Sequence, residues 1–135
     1  MANPRALVID DDEIVRELMC ELLRGGGCQV FDTGSPIGVT RLILQHQIDI
    51  IVLDVMMPDI SGDKLAKLLR RNSKLQNLTI VLVSSGKRED LSQLAADVAA
   101  DAVVSKSEVH MQLVRVALAA HRRRAVSPGR GPAGA

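Results

Sequence analysis

Five polar side chains stand where apolar runs of this 135-residue chain stop. Asp10 and Asp11 follow "RALVI" (5–9), Asp54 follows "IIVL" (50–53), Ser84 follows "LTIVLV" (78–83) and Lys106 follows "AVVS" (102–105). Three carboxylates gathered in one place repel one another, since two unit charges about 4 Å apart cost on the order of 4 kcal/mol at an effective dielectric near 20. Something positive must compensate. Mg²⁺ suits such a set, because it takes oxygen ligands in an octahedron, accepts one or two carboxylates, and leaves places for water, a backbone carbonyl and a phosphate oxygen. Lys106 supplies a second positive charge.

These groups meet only if the chain brings the ends of its apolar runs together. With "CQVF" (28–31) there are five such runs, each read as a buried strand. Between them lie stretches of helical spacing, such as Ile14, Val15, Leu18, Met19, Leu22 and Leu23, which fill one face. Asp12 is a good N-cap for that helix and "GGG" (25–27) closes it; a third helix opens at Ser61 and Asp63 and ends at Arg70 and Arg71. The remaining helices are expected at about 36–46, 87–98 and 107–122. Strands alternating with helices through right-handed crossovers predict an α/β fold, a doubly wound five-stranded parallel sheet with helices on both faces. Ligands of such sheets sit beyond the carboxyl ends of the strands, which is where Asp10, Asp11, Asp54, Ser84 and Lys106 fall.

Composition narrows the function. One domain is expected over 1–122, followed by a basic Pro/Gly/Ala-rich tail or linker over 123–135. Residues 1–120 carry 16 acids against 13 Lys plus Arg, whereas residues 121–135 carry four arginines and no acid. Phe31 is the lone aromatic, which leaves no row of rings for stacking bases, so no direct nucleic-acid contact is expected. No apolar run approaches the length of a membrane span or a signal peptide, and the expected location is cytoplasmic. Cys20 and Cys28 read as small buried hydrophobes, and the three histidines form no ligand cluster. The "GGG" follows a helix and precedes a strand, the reverse of a phosphate-binding loop.

"LVIDDDE", "LDVMMPDISG", "VLVSSG" and "VVSKS", in that order at four strand ends, closely resemble the receiver domain of two-component response regulators, over residues 5 to about 120. The resemblance implies a flavodoxin-like sheet with strand order 2-1-3-4-5. It implies that Asp54 accepts a phosphoryl group from a sensor histidine kinase or a phosphotransfer protein. An ionised carboxylate needs no general base for that attack. Asp10, Asp11, Asp54 and the Met56 backbone carbonyl would hold Mg²⁺, Ser84 and Lys106 would engage the phosphoryl group, and Pro58 and Gly62 would shape the turn that presents Asp54. The implied output is a signalling contact with a downstream protein through the 84–122 face, not catalysis on a separate substrate; a homodimer is compatible with this.

Four positions bear on how far the family pattern carries over. Val103 stands where many receivers carry a Tyr or Phe that rotates on phosphorylation, which predicts a different route to the output face. Ser107 follows Lys106 where a cis proline is common, and a cis bond before serine costs about 2.5–4 kcal/mol; either the bond is trans, with Lys106 reaching differently, or the loop is strained. Met56 and Gly86 occupy positions that often orient an attacking water, and neither side chain can do so, which predicts a long-lived acyl phosphate. The alternative is a receiver-like interaction module that works independently of phosphorylation. An aspartate-nucleophile phosphohydrolase fits poorly, since Met56 stands where such enzymes place a second aspartate.

Overall fold

The computed structural model describes residues 3–58, 60–86 and 88–126. Strands β1 (Arg5–Ile9), β2 (Gln29–Thr33), β3 (Ile50–Asp54), β4 (Thr79–Ser84) and β5 (Ala102–Ser105) alternate with helices α1 (Glu13–Gly25), α2 (Val39–His46), α3 (Gly62–Arg71), α4 (Arg88–Val98) and α5 (Val109–Val126). The strands pair in parallel in the order β2-β1-β3-β4-β5, as expected. The chain direction reverses its sideways course between β1 and β3, so a crevice opens beyond their carboxyl ends.

The central strands are buried on both faces, and, Ile50 on the α1 and α5 face apart, their side chains sort by size. Leu7, Ile9, Ile51, Leu53, Ile80 and Leu82 face α2, α3 and α4, where they meet Ile43, Leu65, Leu69 and Val98. Ala6, Val8, Val52, Val81, Val83 and Val104 face α1 and α5, where they meet Met19, Leu23, Leu113 and Ala117. The period-2 alternation of the pleat makes this division possible, because neighbouring residues point to opposite faces. Shorter side chains on the second face let α1 and α5 lie close to the sheet and to each other. Gly26 marks that closeness, since a Cβ there would overlap the Val114 side chain. Cys20 and Cys28 are buried with free thiols on this face.

Asp12 caps α1 as expected, its carboxylate accepting the N–H groups of Ile14 (3.0 Å) and Val15 (3.2 Å). At the other end Gly26 N–H donates to Leu22 and Leu23 carbonyls, and Gly27 takes φ +97°, a conformation that costs glycine little.

The last helix differs from expectation. It runs to Val126, four residues past the end expected at 122, and the basic stretch is not wholly solvated. Arg124 reaches inward: its Nε donates to Asp101 Oδ1 (2.7 Å) and its guanidinium to the Gln76 carbonyl (2.7 Å). Arg70 donates to the other oxygen of the same carboxylate, also at 2.7 Å, and Ile80 N–H joins it at 2.8 Å. Asp101 thus ties α3, β4 and α5 together at the amino end of β5. Residues 127–135 of the expected tail lie outside the described residues.

Candidate functional site

The run "DDDE" at the end of β1 is divided among three tasks. Asp10 turns into the protein and is fully buried; Asp11 is exposed at the mouth of the crevice; Asp12 is the helix cap. Asp10 is fixed through its backbone, with its N–H donating to the Thr33 carbonyl (3.3 Å) and its carbonyl accepting from the Arg16 guanidinium (2.8 Å). Arg16 Nε in turn pairs with Asp32 at 2.9 Å, so α1 and β2 together brace the loop. Asp10 Oδ1 accepts the Asp12 N–H at 2.8 Å. Its Oδ2 is buried with no hydrogen-bond partner.

Asp54 ends β3 and is 2% exposed. Its Oδ1 accepts the Met56 N–H (3.1 Å), and the chain then turns back so that Gly62 N–H donates to the Val55 carbonyl (2.9 Å). A Cβ at Gly62 would overlap the Asp54 carbonyl, which is why the turn ends in glycine. Met57 is buried in the core, whereas the Met56 side chain points outward, 69% exposed.

Carboxylate oxygens of Asp10, Asp11 and Asp54 lie within 4.8 Å of one another. Lys106 joins them from the far edge of the sheet: its Nζ is 3.2 Å from Asp54 Oδ2 and 3.7 Å from Asp10 Oδ2. It does so from a short 3₁₀ turn, Lys106–Glu108, and no peptide bond among the described residues is cis. The Lys106–Ser107 bond is therefore trans, and the lysine still reaches both carboxylates. Burial pushes the Asp10 carboxyl up to about 6, with the Asp54 charge adding to the effect and the Asp12 N–H and Lys106 opposing it. Burial alone would lower the Lys106 pKa, but the Asp10 charge, the hydrogen bond and charge of Asp54 and the Asp12 charge raise it, so the lysine stays a cation.

Ser84 ends β4, one residue past the Val83 that pairs with Asp54, and is buried. Its hydroxyl accepts the Gly86 N–H (3.1 Å) and keeps its own proton to donate. Sequence reasoning brought out Asp10, Asp11, Asp54, Ser84 and Lys106 but missed Arg16 and Asp32. A readable signal for Arg16 existed, since it stands one helical turn after the Asp12 cap and so faces back over the β1–α1 loop.

The response regulator receiver domain family matches residues 6–118 of this chain, nearly the whole described fold including every residue of the cluster. The chain belongs to that family. Among curated relatives of this receiver, the phosphate regulon transcriptional regulatory protein PhoB of Pseudomonas aeruginosa is 27% identical over 123 residues, 91% of this chain and 54% of that protein. The DNA-binding dual master transcriptional regulator RpaA of Synechocystis is 30% identical over 114 residues, 84% of this chain and 47% of that protein. The receiver thus spans about half the length of these relatives. Its fold matches that of a CheY-like response regulator receiver domain protein from Methanospirillum hungatei at a TM-score of 0.79, with 17% identity over 92% of this chain and 98% of that one. Among the described residues, no helix is long and apolar enough to cross a membrane.

Proposed function

We propose that this receiver is a phosphoacceptor: Asp54 takes a phosphoryl group from a phosphohistidine on a sensor histidine kinase or phosphotransfer protein. In that step an Asp54 carboxylate oxygen bonds to phosphorus as the histidine N–P bond breaks, and the imidazole leaves with the electron pair. The observation that carries the reading is the Lys106 ammonium, held 3.2 Å from a buried carboxylate that has two more carboxylates beside it. Asp54 presents its charge at a strand end with one oxygen fixed by the Met56 N–H and the other by the lysine. After transfer Lys106 would follow the new charge onto a phosphoryl oxygen, and the Ser84 hydroxyl would donate to another. Charge-assisted hydrogen bonds are each worth about 1.5–3 kcal/mol, against the ~5.5 kcal/mol that inverts a 1:99 equilibrium, so two of them approach what a switch requires.

The donor set fits a hard divalent cation. Asp10 Oδ2 is an anionic oxygen, buried and without a hydrogen-bond donor, which a cation would satisfy. Asp10, Asp11, Asp54 and the Met56 backbone carbonyl would hold Mg²⁺, which when bound neutralises charge on the phosphoryl oxygens. The phosphorylated receiver would then bind a downstream protein through its 84–122 face, in the cytoplasm.

Incubation with acetyl phosphate and Mg²⁺ tests the proposal by intact mass. The wild-type chain gains one phosphoryl group, and Asp54→Asn gains none. Failure of the wild-type chain to gain mass, or equal labelling of the variant, refutes it and leaves a phosphorylation-independent interaction module.

A further inference from the structure

A groove of about 420 Å³ lies between α2 and α3, on the sheet face opposite α1 and α5 and outside the carboxylate cluster. Its walls are chiefly apolar, with Ile60, Leu65 and Leu69 at depth and Ile37 and Leu68 at the rim. Ile37 is 78% and Leu68 53% exposed, and Leu44, one helical turn beyond the groove-lining Thr40, extends the apolar stripe along α2.

The charges beside this stripe are mostly positive. Arg41 follows Thr40 on α2, while Lys64 and Arg71 flank Leu68 at four residues before and three after, with Lys67 alongside. All four are exposed, and none of them forms an ion pair among the described residues. By contrast, Arg70 of α3 and, on other helices, Arg16 and Arg124 each hold a carboxylate. Asp63 is the only acid in the two helices, on a chain body that is otherwise acidic.

We propose that this groove docks a partner protein's amphipathic helix, one that carries apolar residues along one face and carboxylates beside them. A cleft between two helices matches the i, i+3, i+4, i+7 ridge of such a helix, and its unpaired cations match flanking Asp and Glu. The concave shape and the lack of aromatic side chains at the rim disfavour a flat bilayer surface. An apolar centre disfavours nucleic acid, whose backbone offers charge and no matching ridge. Ile60 lies in the loop that leaves Asp54, but the inference does not depend on phosphorylation.

The test uses the full chain and a fluorescein-labelled helical peptide with leucines at i, i+3, i+4 and i+7 and glutamates between them, followed by anisotropy. A twin peptide with lysine for glutamate is the charge control. The acidic peptide is expected to saturate the protein at micromolar concentration, with amide shifts in ¹⁵N spectra centred on Gly38 and Leu68. Leu68→Asp and the pair Lys64→Glu with Arg71→Glu, all at exposed positions, are each expected to weaken it about tenfold or more, close to 1.4 kcal/mol. The double variant is expected to gain affinity for the lysine peptide. Equal binding of both peptides, amide shifts elsewhere, or no saturation up to about 1 mM overturns the proposal. So does preferential binding to vesicles of phosphatidylcholine and phosphatidylglycerol that is lost in the same variants, which would reassign the patch to a membrane.

Discussion

Replacing Asp10 by Asn should make the metal-free protein more stable. Asp10 is fully buried, its Oδ2 has no hydrogen-bond donor, and its carboxyl titrates near 6 instead of 3.8. Because the folded value lies above the unfolded one, Asp10 favours folding below about pH 4, and that contribution is lost as the pH rises through about 6. At about 1.4 kcal/mol per pH unit, keeping the group ionised above pH 6 costs the fold roughly 3 kcal/mol. Asn avoids most of this while its Oδ1 can still accept the Asp12 N–H. Urea unfolding in EDTA at pH 7.5 should place Asp10→Asn about 1–3 kcal/mol above wild type, and the melting temperature several degrees higher. The difference should shrink between pH 6 and pH 4. Adding Mg²⁺ should raise wild-type stability by mass action and leave the variant nearly unmoved. A variant as stable as wild type or less so at pH 7.5, or a gap that ignores pH, would refute the picture of three crowded carboxylates awaiting a cation.

Other outcomes follow from the same geometry. Gly62→Ala should destabilise the fold by about 1–3 kcal/mol in urea, since its Cβ overlaps the Asp54 carbonyl and the turn must open. A chain ending at residue 122 should be less stable than one ending at Val126 by about 1–3 kcal/mol, because only the longer keeps the Arg124 pair with Asp101; equal melting curves would show that α5's last turn contributes nothing. The phosphorylated protein should lose its phosphoryl group slowly, and Met56→Asn, at a 69% exposed position beside Asp54, should speed that loss several-fold by offering an amide to an attacking water. Decay followed by intact mass decides this, and an unchanged rate would assign control of the water to other groups.

Strand ends were legible in the sequence because buried parallel strands read as unbroken apolar runs, so a polar residue at their close is conspicuous. That made Asp54, Ser84 and Lys106 visible, and the position of ligands beyond the carboxyl ends of parallel strands put them in one crevice. The separate fates of Asp10, Asp11 and Asp12 were harder to read, because three consecutive acids differ only in where the backbone points them. Arg124 was missed for another reason. In "HRRRAV" composition suggests a solvated end, yet Arg124 continues the buried stripe of Leu113, Ala117 and Ala120 at helical spacing, while Arg122 and Arg123 face water. Periodicity carried the information there, and charge obscured it. Arg16 could be placed over the loop by its spacing from the Asp12 cap, but its pairing with Asp32 depends on α1 crossing β2, a tertiary contact with no local signature.

Strand β5 has a neighbour on one side only, and its two ends are held in unlike ways. Two guanidiniums anchor the Asp101 end to the rest of the body, whereas at the other end one lysine ammonium spans to the carboxylate pair. β5 stays paired with β4 through Ser84 and Ser105 up to this end, so the lysine crosses from the rim of a continuous ladder. On the proposed phosphorylation of Asp54, the charge facing that ammonium would change at one end of the outermost strand only, while the Asp101 end would keep both guanidiniums.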